Sequence, residues 1–283
     1  MEAISVRRTI MPRKNGLSLP LHPLQVLSWT VISLMIAANY GLVRPALSPG
    51  LQVTPTQPLF LVLSTVLQAF VLSLGLLLTL WNPIDPVVTQ HRFAQTIDHY
   101  AFDENQYSMM CSACGTFVSS GAKHCSRCDK CVDGFDHHCK WLNNCIGFRN
   151  YRWFWGLIVA TEASFMVQSG FTIYVLITEG SKGVYAATKA VQGLLCTHLA
   201  LSLLLLVPVS HLIVLHCYLV YNHMTTYEWI KRRRELKVKP LPPTPKADSK
   251  PQITQDTQMD ACTRLDDSSL AISPDPPSDL VLS

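Results

Sequence analysis

Between Leu59 and Leu80 the chain reads LFLVLSTVLQAFVLSLGLLLTL, without one charged side chain. As a helix this stretch is long enough to cross the ~30 Å hydrocarbon layer of a bilayer. Three further apolar runs of similar length follow the same pattern: Leu24–Val43, Trp153–Ile177 and Leu194–Tyr221. One such run could be a buried core helix, but four of them predict transmembrane helices. The first run starts too far into the chain and runs too long for a cleaved signal peptide.

Lysine and arginine gather on the cytosolic side of membrane proteins. Arg7, Arg8, Arg13 and Lys14 precede the first run, seven basic residues lie within 81–152, and nine follow the fourth run, led by Lys231, Arg232, Arg233 and Arg234. The two remaining loops hold only Arg44, Lys182 and Lys189. This distribution predicts that both termini and segment 81–152 face the cytosol, and that the two short loops face the lumen or exterior. The expected organisation is a basic arm over 1–23, helices 1 and 2 with a short lumenal loop over 24–80, a cytosolic domain over 81–152, helices 3 and 4 with a second short loop over 153–221, and a cytosolic tail over 222–283. Lys231–Arg234 reads as a juxtamembrane anchor on anionic lipid. Residues 87–110 are polar and show no clear period. From about Pro240 the tail turns to proline, serine, threonine and aspartate, and lacks the apolar content to fold.

The cytosol is reducing, so cysteines there serve metal binding or catalysis rather than disulfides. Seven of the ten cysteines lie between residues 111 and 145. That segment has few aliphatic residues, so a hydrophobic core cannot hold it and metal is the candidate. Cys196 and Cys217 read as small apolar residues of the fourth run, and Cys262 stands alone in the tail.

The ligand candidates are Cys111, Cys114, His124, Cys125, Cys128, Cys131, His137, His138, Cys139 and Cys145. Cys111-x-x-Cys114 and Cys125-x-x-Cys128 are chelating knuckles of the kind that bind zinc. Structural zinc takes four ligands, so two Cys3His sites consume six cysteines and two histidines. One cysteine and one histidine are left over, the raw material of nucleophilic catalysis. Asp136, His137, His138 and Cys139 are consecutive, and an aspartate can orient a histidine that acts as base. Cys139 is therefore the candidate nucleophile, with His137 or His138 as its base; spacing alone does not choose between them. By arithmetic alone, a zinc module that only binds a partner stands level with an enzyme.

The stretch "CSAC…HCSRCDKCVDGFDHHCKWLNNCIGFRNY", over about 111–152, closely resembles the cysteine-rich domain of the zinc-finger DHHC protein S-acyltransferases, the palmitoyltransferases. The position of the domain between helices 2 and 3 fits, and "TTYE" (Thr225, Thr226, Glu228) looks like the family's Thr-Thr-x-Glu motif. Lys140, where many members have proline, resembles the animal DHHC-1/DHHC-11 subgroup. The resemblance implies an all-α integral membrane protein with four transmembrane helices and a cytosolic zinc domain between the second and third. It implies two structural zinc ions, one on Cys111, Cys114, His124 and Cys131, the other on Cys125, Cys128, His138 and Cys145. Asp136, His137 and Cys139 then form the catalytic group. There are departures: Asp85-Pro86-Val87 stands where many members carry Asp-Pro-Gly, and no clear asparagine-bearing motif follows in the tail.

The implied activity is S-palmitoylation. Cys139 takes the acyl chain from palmitoyl-CoA in a ping-pong scheme and passes it to cysteines of membrane-associated proteins. A cavity between the helices would take the chain, with Trp141, Phe154, Leu157 and Ser164 as candidate lining residues; ordinary helix packing is the competing reading of each. Lys123, Lys130, Arg149 and Arg152 could meet the phosphates of coenzyme A. Glu162, in the middle of the third run, is costly in lipid and should face protein or a cavity. The expected location is the endomembrane system: endoplasmic reticulum, Golgi or endosome. A nucleic-acid-binding zinc protein is excluded by charge, since 81–152 carries as many acidic as basic residues. The stronger alternative is a membrane scaffold of the same family acting by partner binding. A transporter or channel finds little support in four helices with few intramembrane charges.

Overall fold

The structure, a computed structural model, describes residues 12–43, 56–97, 102–180 and 189–238. Helix α1 spans Pro23–Ala38 and continues through a π-helical turn over Asn39–Val43. Helix α2 spans Thr56–Leu80, α3 Pro86–Thr96, α4 Tyr151–Gly180, α5 Lys189–Tyr221 and α6 Thr226–Val238. Between α3 and α4 lie six three-residue strands: β1 Met109–Cys111, β2 Thr116–Val118, β3 Lys123–Cys125, β4 Lys130–Val132, β5 His137–Cys139 and β6 Asn144–Ile146. They pair as three separate antiparallel hairpins, β1–β2, β3–β4 and β5–β6. The expectation of an all-α protein is therefore corrected within the cysteine-rich segment. Its chain must reverse at each pair of ligands, and short hairpins do this in the fewest residues. At Gly134 the turn needs a positive φ of 52°, and a Cβ there would lie 2.7 Å from that of Phe148.

Among the described residues, three helices are long and apolar enough to cross a membrane: Pro23–Val43, Pro58–Leu80 and Lys189–Tyr221. The third expected span is present as the 30-residue α4 but falls outside this set. Its polar residues lower its apolarity, and they point inward: Ser164, Gln168, Ser169 and Thr172 are all buried. Thr172 is hydrogen-bonded to His198 of α5 at 3.2 Å. Glu162 accepts a hydrogen bond from Ser210 of α5, so the carboxylate does face protein. α4 packs along both α2 and α5.

Helix α3 occupies a stretch in which the sequence shows no clear period. Its start signal is local. Asp85 caps the N-terminus by accepting from Val87 N–H at 3.0 Å, and Pro86 occupies the first turn. Val87 is an ordinary helical residue here, so the departure from Asp-Pro-Gly removes no turn. Asp85 is fully buried. It also accepts from Ser119 N–H at 2.7 Å and Ser119 Oγ at 2.8 Å, and its own N–H donates to Cys131 O at 2.9 Å. One residue thus joins α3 to two hairpins, its carboxylate to β1–β2 and its backbone N–H to β3–β4.

The cysteine-rich module docks on the helix ends through "WLNN". Asn144 is fully buried, and its amide donates to Leu78 O at 2.9 Å and Trp81 O at 2.7 Å. It thereby satisfies carbonyls that the end of α2 leaves without intrahelical partners. Asn143 donates to Gly16 O at 3.1 Å and Pro20 O at 3.2 Å, and Gln25 of α1 donates to Gly16 O at 3.0 Å. The described part of the basic arm is strapped to the module, with Arg13 N–H donating to Cys128 O at 3.0 Å. The arm before residue 12, both expected lumenal loops and the tail from Pro240 lie outside the described residues.

Asn144→Ala should lower the thermal midpoint of the protein in detergent, because buried carbonyls lose their donor at a cost of about 1–3 kcal/mol. Thermal denaturation of both proteins checks this; an unchanged midpoint would mean that the amide does not hold the module to α2.

Candidate functional site

The hairpins allocate the cysteines and histidines by strand alternation, which sends successive side chains to opposite faces. On β3, His124 faces Cys131 across the pair, while Cys125 turns the other way. On β5, His138 faces Cys145, and its neighbours His137 and Cys139 point to the opposite side. Cys111, Cys114, His124 and Cys131 converge as one set, and Cys125, Cys128, His138 and Cys145 as another; within each, the donor atoms lie within 4.8 Å of one another. In the first set Cys114 Sγ lies 3.3 Å from His124 Nδ1 and 3.6 Å from Cys131 Sγ. In the second, His138 Nδ1 lies 3.3 Å from Cys128 Sγ, 3.7 Å from Cys145 Sγ and 3.8 Å from Cys125 Sγ. A tetrahedral zinc with bonds of about 2.1–2.3 Å separates its ligand atoms by about 3.3–3.8 Å. Both sets could hold zinc.

Electrostatics points the same way. The hydrogen bond with Cys131 lowers Cys114 to about 5, and the same contact pushes Cys131 far up. Cys125 and Cys128 likewise push Cys145 up. Packed thiols oppose one another's ionisation, and a divalent cation is what would let all three in each set ionise together.

Asp136 precedes β5 and is buried. Its Oδ2 accepts from His137 Nδ1 at 2.6 Å and from Thr226 Oγ1 at 2.8 Å, and its Oδ1 accepts from Thr226 N–H at 2.8 Å. Burial alone would raise the Asp136 carboxyl; the bonds from His137 and Thr226 outweigh it and hold the carboxyl below its ordinary range. The Cys139 thiol, on the same face of β5, interacts with the His137 ring and favours its protonated form. Burial alone would lower His137, but Asp136 and Cys139 together raise it to about 9. Cys139 is buried in an apolar cluster with Leu78, Leu142, Ile146, Phe154 and Ile158, where the module meets α2, α4 and α5. A thiol, an imidazole and a carboxylate in this order can generate a thiolate and hold the displaced proton.

Thr225, Thr226 and Glu228 form a capping box at the start of α6. Thr225 N–H donates to Glu228 Oε2 at 2.8 Å, and Glu228 N–H to Thr225 Oγ1 at 3.1 Å. The box fixes the first turn, and Thr226 within it reaches Asp136. The S/T-x-x-E signature is visible in the sequence, but its target is not.

Other expected site residues are scattered. Lys130 is corrected: it is 1 % exposed, and its ammonium donates to Arg13 O at 2.8 Å, Asn82 Oδ1 at 3.0 Å and Lys14 O at 3.3 Å. It is a strut between arm and module, with no donor turned to a ligand. Lys123 is half-buried, while Arg149 and Arg152 are exposed, Arg152 lying over the Trp153 ring at 5.0 Å. Ser164 lines a cavity of about 40 Å³ with Val31, Met35, Gln68, Val71 and Gln168. Phe154 and Leu157 do not line it; they pack around Cys139. Trp141 is half-exposed and does not line the cavity.

The sequence from residue 104 to 233 matches the DHHC palmitoyltransferase family. The chain is also 30 % identical over 255 residues to human palmitoyltransferase ZDHHC11, an alignment covering 79 % of this chain and 60 % of the human protein. Residues 104–233 thus form a segment similar to the DHHC family. It spans somewhat less than two thirds of the length of this curated relative. Both donor sets, Cys139 and the capping box all lie inside the DHHC match.

A histidine raised to about 9 against an ordinary 6.5 favours the folded state most fully below about pH 6.5, and that contribution fades as pH rises through about 9. The difference in thermal midpoint between wild type and His137→Gln should therefore shrink across this window. A difference that stays constant from pH 6 to 9.5 would remove the paired, protonated His137.

Proposed function

We propose that this protein is a protein-cysteine S-palmitoyltransferase. His137, oriented by Asp136, holds the proton given up by the Cys139 thiol. The Cys139 sulfur attacks the carbonyl carbon of palmitoyl-CoA; the new S–C bond forms as the bond to coenzyme A sulfur breaks, and the departing thiolate recovers the proton from His137. A cysteine thiol of a membrane-associated protein then repeats the exchange on the acyl-enzyme and frees Cys139. One thioester replaces another at each step, so no nucleotide is consumed. The observation that carries this reading is the His137 ring bonded to a buried carboxylate and set on the same face of β5 as the Cys139 thiol, while its neighbour His138 turns into a cysteine cluster.

Zinc, when bound on Cys111, Cys114, His124 and Cys131 and on Cys125, Cys128, His138 and Cys145, supplies the stability that the small apolar clusters of the module lack. Each set is a closed group of four protein donors, which suits a structural role and leaves catalysis to Cys139. α4 serves as a fourth membrane span, its polar groups satisfied by α5 within the bundle. With four spans, both termini and the zinc module lie on one side, and the count of basic residues assigns that side to the cytosol of an endomembrane. Lys123, Arg149 and Arg152 remain the basic residues available to coenzyme A phosphates. The surroundings of Cys139 formed by Phe154 and Leu157, and the cavity at Ser164, mark where an acyl chain would run between the helices.

Purified protein incubated with labelled palmitoyl-CoA should take up hydroxylamine-sensitive label, and Cys139→Ser should take up none. Equal labelling of the two would refute Cys139 as nucleophile. Asp136→Asn should retain the fold and lose rate by at least about a hundredfold, since general-base assistance of this kind is worth about 10²–10⁴. Elemental analysis of the purified chain should give two zinc ions, and His138→Ala should lose one; a value of one in the wild type would break the assignment of two sets.

A further inference from the structure

A second imidazole, unused by the reaction above, lies behind the Asp136–His137 pair. His216, near the end of α5, is 1 % exposed. Its Nδ1 is hydrogen-bonded at 2.9 Å to the hydroxyl of Tyr151, the first residue of α4. The His216 ring centre lies 6.0 Å from that of His137. Phe154 stands edge-on to both rings, at 5.3 Å from His137 and 5.1 Å from His216.

Asp136, His137 and His216 also bring potential ligand atoms within 4.8 Å of one another, so a third metal site is the competing reading. The Asp136–His137 contact argues against it. At 2.6 Å it is a hydrogen bond, whereas two nitrogen or oxygen ligands on one tetrahedral zinc sit about 3.3 Å apart. Both Asp136 oxygens are already engaged, by Thr226 and His137. An ion would have to break that arrangement.

The support of the His137 ring is the better account. Asp136 fixes one edge of the imidazole, but a single hydrogen bond leaves the plane of the ring free to tilt. Phe154 closes that freedom, and Phe154 is itself held between His137 and His216. The Tyr151–His216 bond ties α4 to α5 at this level. We propose that Tyr151 and His216 are a positioning pair: their hydrogen bond fixes Phe154, and through it the His137 ring against Cys139. The effect on turnover rests on the acyltransferase reading; the effect on Cys139 reactivity does not.

The test uses the full chain in detergent and four variants: Tyr151→Phe, His216→Leu, their double, and His216→Asn. Two rates are followed. One is acyl-enzyme formation from palmitoyl-CoA, resolved into its saturating rate and half-saturating concentration. The other is alkylation of Cys139 by iodoacetamide, read on the peptide that contains it. Tyr151→Phe and His216→Leu should each lower the saturating rate about tenfold with half-saturation unchanged, as expected for a misplaced base. The double variant should be no slower than His216→Leu, because both remove one bond. His216→Asn, which keeps a partner for the Tyr151 hydroxyl, should recover most of the rate. Cys139 alkylation should follow the same order.

Tyr151→Phe is the decisive variant, since it removes one oxygen and almost no packing volume. A wild-type rate in that variant, or losses that add in the double, would overturn the proposal. So would a third zinc ion in the wild type that His216→Leu loses. If the wild type takes no acyl label while alkylation falls in the expected order, the acyl-donor reading fails and the positioning pair stands. If the wild type is labelled and the variants match it in both rates, the positioning pair fails and the acyltransferase reading stands.

Discussion

A β-strand turns adjacent side chains to opposite faces, and on β5 this rule separates two histidines that the sequence leaves indistinguishable. His138 goes with Cys145 to a metal-type donor set, while His137 and Cys139, two residues apart, share the other face. β3 repeats the device, sending His124 and Cys125 to different sets. The two donor sets thus share one hairpin, and the second shares another with Cys139 and His137. The face of β5 that carries His137 and Cys139 is held because its opposite face is committed to a four-donor cluster.

The module's other commitments run to the membrane helices. Asn144 donates to carbonyls at the end of α2, the arm runs over the module through Arg13 and Gly16, and Lys130 is buried beneath that arm. Cys139 therefore lies in an apolar cluster drawn from the module, α2, α4 and α5 rather than on an open loop. The same placement explains why the basic candidates divide: Lys130 serves the docking of arm and module, while Arg149 and Arg152 stay exposed.

Much of this is legible in the residues. The apolar runs locate the long helices to within a few positions, and ligand arithmetic leaves one histidine and one cysteine over. The hidden part depends on direction and distance. Spacing cannot choose between His137 and His138 because that choice needs β5 to be recognised as a strand, and three-residue strands give no periodic signal. α3 escapes notice for a similar reason, although its Asp85-Pro86 start is present. Lys130 reads as a free cation because sequence does not show what covers it. α4 falls short of a membrane span by apolarity alone because its polar residues are satisfied by a neighbour 26 to 48 positions away. Likewise, His216 lies 65 residues from Tyr151, and no local pattern links them.

The capping box at α6 has a consequence for how the chain can vary. Thr226 reaches Asp136 only because α5 ends at Tyr221 and α6 begins at Thr226, with four residues between. An insertion or deletion in this short turn would change the offset between the two helices and draw Thr226 away from the carboxylate, while leaving both donor sets and Cys139 in place. The length of the turn over 222–225 thus bears on the surroundings of Asp136, though the turn belongs to neither donor set.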